Sequence, residues 1–346
     1  YQGIAHGADG VVYFHWRSLR SGAEQYEGGL LNHARERTRA YHEVKRLGQE
    51  LKRLGPLLAG TEPVADVAML LGYENLWALQ LPPHNAELTG MDGLHPYLTD
   101  YYEVLHDLCT PVAILHPEAD ISAYHLVIAP SLILMNVRMA QNLCSYVANG
   151  GTLVLTVRSG VKDGNNQITD QPLPGHLRAL AGIRISEFDS LPPAYTRTVA
   201  LMHDELSRAE FPAKLWCEII EPETAQVIGR YASGHYAGKA ALTINRYGKG
   251  QAIYVGAISD KQLYAEFLKW LLAGAGVRSL LETPAGVEAS SRVGDEVELL
   301  FLLNYTDVVR QVRLHHSYSD AATDAEVGGV CDIEPREVRI LRCPRA

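Results

Sequence analysis

Apolar and polar positions change period several times along the chain, and each change marks an element. Residues 10–16 are rich in Val and aromatics, and this predicts a buried strand. A loop of roughly fifteen residues follows, longer than a simple connection needs. A helix is then predicted from about 34 to 54. Ala40, Val44, Leu47, Leu51 and Leu54 keep a helical period, Arg37, Lys45, Glu50 and Arg53 fall between them, and Gly55-Pro56 is the expected stop. "LLAGTEPVAD" reads as a linker. Beyond Val64, short apolar runs ("VADVAMLL", "PVAILHP", "HLVIAPS", "GTLVLTVRSG") alternate with helical stretches that include 96–109 and 135–149. Alternation of this kind predicts a parallel sheet covered on both faces. "AKLWCEII" is a further strand, and "GKAALTINRYGKGQAIYVGAI" reads as a hairpin turning at Tyr247-Gly248-Lys249-Gly250. Ser259 and Gln262 suggest a capping box for a last helix with Leu263, Phe267, Trp270 and Leu271 as its stripe. From about 280 the helical period disappears. "VEASSRVGDEVELLFLLNYTD", "VVRQVRLHH" and "REVRILRC" read as strands of a small all-β unit.

Composition narrows the function classes. The 346 residues are 47% hydrophobic and 21% charged, an ordinary globular balance. A formal charge of -9 disfavours nucleic acid or an anionic membrane face as partner, because few phosphates would be neutralised. Cys109, Cys144, Cys217, Cys331 and Cys343 are widely spaced without a C-x-x-C, as expected of buried thiols in a reducing, cytoplasmic setting rather than a metal site. The longest apolar stretch, "HLVIAPSLILMN", is too short to span a bilayer. Neither a metal nor a cofactor is expected. "YGKGQA" lies between strands and lacks the P-loop spacing, no G-x-G-x-x-G follows the first parallel strand, and "TVRSGVKDGNN" lacks the frame of a nucleophile elbow. That last stretch is expected to be a structural or subunit-contact loop, and His315-His316 to lie on the surface.

The chemistry concentrates in "VVYFHWRSLRSGAEQYEGGLL", residues 11–31. Phe14, Trp16 and Arg17 end the apolar run, and Glu24 and Glu27 follow in the loop. Aromatic faces stack on the C–H face of a pyranose and carboxylates accept bonds from its hydroxyls, so the cluster suits a sugar pocket. Loops at strand ends build such sites in β/α barrels.

At this point a resemblance enters. "IAHGADGVVYFHWRSLRSGAEQYEGGLLNH" resembles the last strand and loop of the barrel of the family 42 glycoside hydrolases, the bacterial β-galactosidases. The resemblance continues through "RTRAYHEVKRLGQELKRL", "VADVAMLLGYENLWAL", "VRSGVKD", "GHYAGKAALTINRYGKGQAIYVG" and "VEASSRVGDEVELLFLLNYTD", in family order over essentially the whole chain. It implies an α/β chain in three parts. Residues 1–60 would be the last β/α unit of a TIM barrel. Residues 61–278 would be a doubly wound, class I glutamine amidotransferase-like trimerisation domain, and 279–346 a small β-sandwich. It also implies a homotrimer acting on galactosides by retaining hydrolysis. Glu24 matches a loop glutamate that binds galactose hydroxyls, and Phe14 an aromatic of the pocket. Glu27 stands where most members carry a histidine that contacts the sugar. The catalytic glutamates of the family lie on earlier barrel strands, so the expectation is that the chain is the C-terminal portion of a longer enzyme, contains no catalytic residue and is inactive alone. The alternatives are a non-catalytic assembly module and, less favoured for want of a Cys–His pair, an amidotransferase-like domain.

Overall fold

The computed structural model describes residues 1–81, 85–88, 90–203, 205–206 and 210–345, and these fall into two compact units. One unit is continuous, Ala65–Ser279. The other joins Tyr1–Val64 to Leu280–Ala346. The division falls inside "LLAGTEPVAD".

The continuous unit is built on a mixed sheet. Its parallel part has strands β1 (Val67–Leu70), β2 (Val112–Leu115), β3 (Leu126–Ala129), β4 (Thr152–Thr156) and β10 (Gly250–Val255), in the order β2-β1-β3-β4-β10. The four apolar runs predicted as strands are these first four. β10 pairs in parallel with β4 and in antiparallel with β9 (Ala240–Tyr247). The β9–β10 pair is the expected hairpin, with Tyr247 opposite Gly250 across a two-residue turn. The sheet continues antiparallel through β5 (Ile183–Ser190), β6 (Thr196–Leu201), β7 (Glu210–Pro222), β8 (Gln226–Tyr231) and β11 (Ala257–Ile258).

Period-2 alternation sends neighbouring residues to opposite faces. Val67, Met69, Leu126, Ile128, Val154 and Ile253 pack on one side with Val104 and Leu105 of the helix Gly90–Asp107 and Phe267 and Leu271 of the helix Lys261–Gly274. Ala68, Leu70, Val127, Ala129, Leu153 and Leu155 pack on the other with Met139, Leu143 and Val147 of the helix Val137–Ala148. Both faces are dry, which is why these strands read as unbroken apolar runs.

The last helix starts one residue later than its sequence suggests. Asp260, not Ser259, is the N-cap, and its carboxylate accepts from the Leu263 N–H at 3.1 Å. Ser259 is engaged elsewhere: its hydroxyl donates to Pro212 O at 2.6 Å and its N–H donates to the Tyr264 hydroxyl at 2.9 Å. The expected box with Gln262 therefore does not form.

In the discontinuous unit, a short helix α1 (Gln2–Ala5) and a long one α2 (Arg39–Leu58) pack on a five-stranded sheet that includes β12 (Val287–Val293), β13 (Val297–Asn304) and β18 (Val338–Pro344). Helix α2 runs through Gly55-Pro56 to Leu58. A proline in a final turn forfeits only its own N–H bond, while Leu57 and Leu58 gain contact with the cluster of Leu54, Leu299, Phe301 and Ile340. Partial burial of both side chains stabilises by an amount comparable to the roughly 0.5–1.5 kcal/mol of one lost bond. The helix begins at Arg39 rather than 34, because Thr38 caps it by accepting from the Tyr41 N–H at 3.2 Å.

Residues 10–16 are the clearest departure from expectation. They form no strand and are not buried: Val12 is 97% exposed, Phe14 71% and Trp16 61%. A strand of β-branched and aromatic residues is stable only where neighbours supply ladder bonds and cover its faces; here backbone bonds from Leu30 and Leu31 reach its His15–Trp16 end, and most of its side chains are exposed.

Candidate functional site

The loop that carries the candidate residues is closed at its base. Leu30 N–H donates to His15 O at 3.0 Å and Leu31 N–H to Trp16 O at 2.8 Å. In return Ser18 N–H donates to Leu31 O at 3.0 Å. The Ser18 side chain is buried and its hydroxyl accepts from the Gly29 N–H at 2.9 Å. Gly29 is obligatory at this crossing, since a Cβ there would lie 2.6 Å from the Arg17 carbonyl carbon and the Ser18 nitrogen. A further tie comes from His33, whose Nε2 lies 3.1 Å from Leu19 O and 2.8 Å from Gln25 O. Residues 19–29 thus form a compact loop with its ends pinned together.

Glu24 and Glu27 occupy one turn of that loop, with the Glu27 N–H donating to Glu24 O at 3.0 Å, and both are exposed. Phe14 sits on the preceding segment with its ring 4.5 Å from that of His15. Trp16 meets Tyr41 of α2 edge-on at 6.0 Å, and Arg37 lies over the same tyrosine ring at 5.0 Å. The fold brings the two glutamates together on one turn, and Phe14 lies on the segment before the loop. Sequence reasoning missed the residues that frame the loop: Ser18, Gly29 and His33. The only available signal was the Gly28-Gly29 pair closing an acidic stretch.

The strand ends of the α/β unit are the other place where a parallel sheet ordinarily binds ligands, in the crevice where strand order reverses. Here that point lies between β1 and β3, and protein fills it. The buried Asn75 side chain donates to Ser131 O at 2.9 Å and accepts from the Leu134 N–H at 3.2 Å. The turn after β4 is filled as well. Arg158, in the left-handed region at φ 67°, is buried with its guanidinium over the Trp216 ring at 5.0 Å. The buried Glu218 carboxylate accepts from the Arg158 N–H at 2.8 Å, the Trp216 indole N–H at 3.2 Å and the Tyr254 hydroxyl at 2.8 Å. Burial pushes the Glu218 carboxyl above the ordinary glutamate range, against the pull of those donors. Burial also pushes the neighbouring Cys217 thiol up to about 12, so this cysteine is protonated and no nucleophile. "TVRSGVKDGNN" therefore begins as an interior structural loop. His315 and His316 are exposed, and among the described residues no cluster of three potential metal ligands occurs.

Comparison with known proteins places this architecture. Residues 65–278 match the family model of the β-galactosidase trimerisation domain. Residues 1–54 match the β-galactosidase model and 286–343 the β-galactosidase C-terminal domain. The chain belongs to the glycoside hydrolase family 42 β-galactosidases. It is 34% identical over 345 residues to β-galactosidase BgaA of Planococcus sp. (strain 'SOS Orange'), covering 99% of this chain and 50% of that protein. With BgaB of Geobacillus kaustophilus it shares 36% over 310 residues, 89% of this chain and 44% of that protein. The crystal structure of β-galactosidase from Bacillus circulans sp. alkalophilus superposes with a TM-score of 0.93 at 32% identity, over 99% of this chain and 51% of that one. The chain spans about half the length of the relatives it matches.

Proposed function

We propose that this chain is the C-terminal portion of a β-galactosidase, with residues 1–60 serving as the closing β/α unit of a (β/α)8 barrel. The carrying observation is the run from Val11 to Trp16, a strand-forming sequence whose side chains are largely exposed. The complete enzyme hydrolyses terminal β-D-galactosides with retention. Retention needs two carboxyl groups about 5–5.5 Å apart, one on each side of the anomeric carbon. Glu24 and Glu27 share one turn, closed by the Glu27 N–H to Glu24 O bond, and are given no part in that pair. Their role is recognition. Glu24 accepts hydrogen bonds from galactose hydroxyls, Phe14 packs on the apolar face of the ring, and Glu27 adds a second acceptor where the family commonly has a histidine. The two glutamates that break the bond lie on other barrel strands. The doubly wound 61–278 domain, amidotransferase-like in layout, has no chemistry of its own.

The test is steady-state hydrolysis of o-nitrophenyl β-D-galactoside by the full-length polypeptide. Activity is expected there and not in residues 1–346 alone. Glu24→Ala should raise KM, and an unchanged KM removes its role.

The α/β domain supports a second, compatible role in homotrimer assembly. Tyr73, Trp77 and Leu81 recur every four residues along and just beyond the helix Tyr73–Gln80, and all three are more than half exposed. Such a stripe is costly to leave in water and suits a contact between copies. Light scattering of the Trp77→Lys variant tests this. A trimer of undiminished mass counts against the stripe as the contact.

A further inference from the structure

Three side chains at alternate positions of β12 point the same way, and all three are polar and buried: Glu288, Ser290 and Arg292. A strand face in a small β-rich sheet would ordinarily be apolar. All three reach the N-terminal segment. Glu288 Oε1 lies 2.5 Å from His6 Nε2, and its other oxygen accepts from the Tyr305 hydroxyl at 2.7 Å. The Ser290 hydroxyl donates to Ala5 O at 3.0 Å. The Arg292 guanidinium donates from Nη1 to Ile4 O at 2.9 Å and Ala8 O at 3.1 Å. From Nη2 it donates to Asp9 Oδ1 at 3.0 Å and Thr61 O at 2.5 Å, and from Nε to the Thr61 hydroxyl at 2.9 Å. One planar fork thus ties Ile4 O in α1, Ala8 and Asp9 shortly before the Val11–Trp16 run, and Thr61 just after α2. A lysine could not reproduce five divergent bonds.

The Val11–Trp16 segment is therefore held at both ends. Arg292 fixes Ala8–Asp9 upstream, and the bonds among His15, Trp16, Ser18, Leu30 and Leu31 fix it downstream. Between those points its side chains are largely exposed. We infer that β12 is a latch by which the C-terminal β-rich segment positions the sugar-facing wall, with Arg292 as its central positioning residue. This rests on the role given above to Phe14 and Glu24, and it assigns a task in substrate binding to a strand far from them in sequence.

The experiment uses the full-length polypeptide and two readouts. One is the KM and kcat for o-nitrophenyl β-D-galactoside. The other is the rate of tryptic cleavage after Arg17 and Arg20, which needs no activity. Arg292→Met should raise KM about tenfold with kcat within about twofold, the pattern of lost binding rather than lost chemistry. It should also speed cleavage about tenfold by raising the open population of the segment. Arg292→Lys should not restore either value. Ser290→Ala, a milder change that decides the matter if Arg292→Met fails to fold, should move both in the same direction by about twofold. Arg339→Met serves as the control. It breaks the Arg339–Asp320 pair of the same β-rich segment, 2.9 Å apart, and should move neither. Wild-type KM and cleavage in the latch variants overturn the proposal, as does an equal response in Arg339→Met. A wild-type polypeptide without galactosidase activity would instead overturn the functional reading, with trypsin still reporting on the latch.

Discussion

The turn after β4 and the loop after Trp16 are built from similar material and end in opposite states. Each follows an apolar run, and each involves arginine, tryptophan and glutamate, with Trp216 and Glu218 reaching the first from β7. In the α/β unit Arg158, Trp216 and Glu218 are buried and held against one another inside the protein. In the N-terminal segment Trp16, Glu24 and Glu27 face solvent on a framework pinned by Ser18 and Gly29. The contrast teaches that a doubly wound sheet supplies a place for a ligand but no ligand chemistry. Side chains bond across that place here, and the exposed acids and aromatics belong to the N-terminal segment.

The strongest way to break the comparison is truncation on both sides. Glu218→Ala leaves the Trp216 indole, the Tyr254 hydroxyl and the Arg158 N–H without their acceptor, and should cost about 3–5 kcal/mol in urea unfolding. Glu24→Ala should cost less than about 0.5 kcal/mol in the same experiment, as surface changes do. If both proteins unfold at the wild-type midpoint, the sealed cluster is not structural.

Glu24→Ala should show its effect in kinetics instead. Losing charge-assisted bonds to sugar hydroxyls is worth about 1.5–3 kcal/mol, a KM increase of roughly 10- to 150-fold in the full-length polypeptide. A purely structural Glu24 would lower the active fraction and leave KM alone.

The pH dependence of stability sharpens the contrast further. The folded pKa of Glu218 lies above its ordinary value of 4.5. The folded chain therefore keeps a proton that the unfolded chain has released. This contribution falls as pH rises from about 4.5 through the folded value. Glu218→Gln removes it, so the variant should gain on the wild type across that window in urea titrations. Parallel curves would show that Glu218 does not titrate differently on folding. The smallest effect expected is at Cys217. With its thiol pushed up to about 12, it should resist iodoacetamide at pH 8 in the native protein and react only on unfolding.

The periodicity of the α/β region was legible because burial on both faces leaves a plain record. The four apolar runs from Val64 to Gly160 and the hairpin at Gly248-Lys249 required no knowledge of distant residues. Helix ends were less legible, since they depend on competition. Ser259 looks like a cap until Pro212 O and Tyr264 claim its polar groups, and Pro56 looks like a stop until Leu57 and Leu58 find a cluster. The 10–16 run misled for a different reason: strand propensity describes a fit to neighbours, and here most of its side chains stay uncovered. In the candidate site the acids and aromatics could be named from sequence, but not the loop's frame, because Ser18, Gly29 and His33 become partners only after the chain turns back.

The discontinuous unit imposes a schedule on biosynthesis. Its first helix finds partners for its closing carbonyls on β12, some 280 residues later. At about 5–20 residues per second, a ribosome leaves that helix waiting roughly 15–60 s while Ala65–Ser279 emerges and folds. Nascent chains arrested before Val287 should therefore carry a fully formed middle and an unfinished beginning.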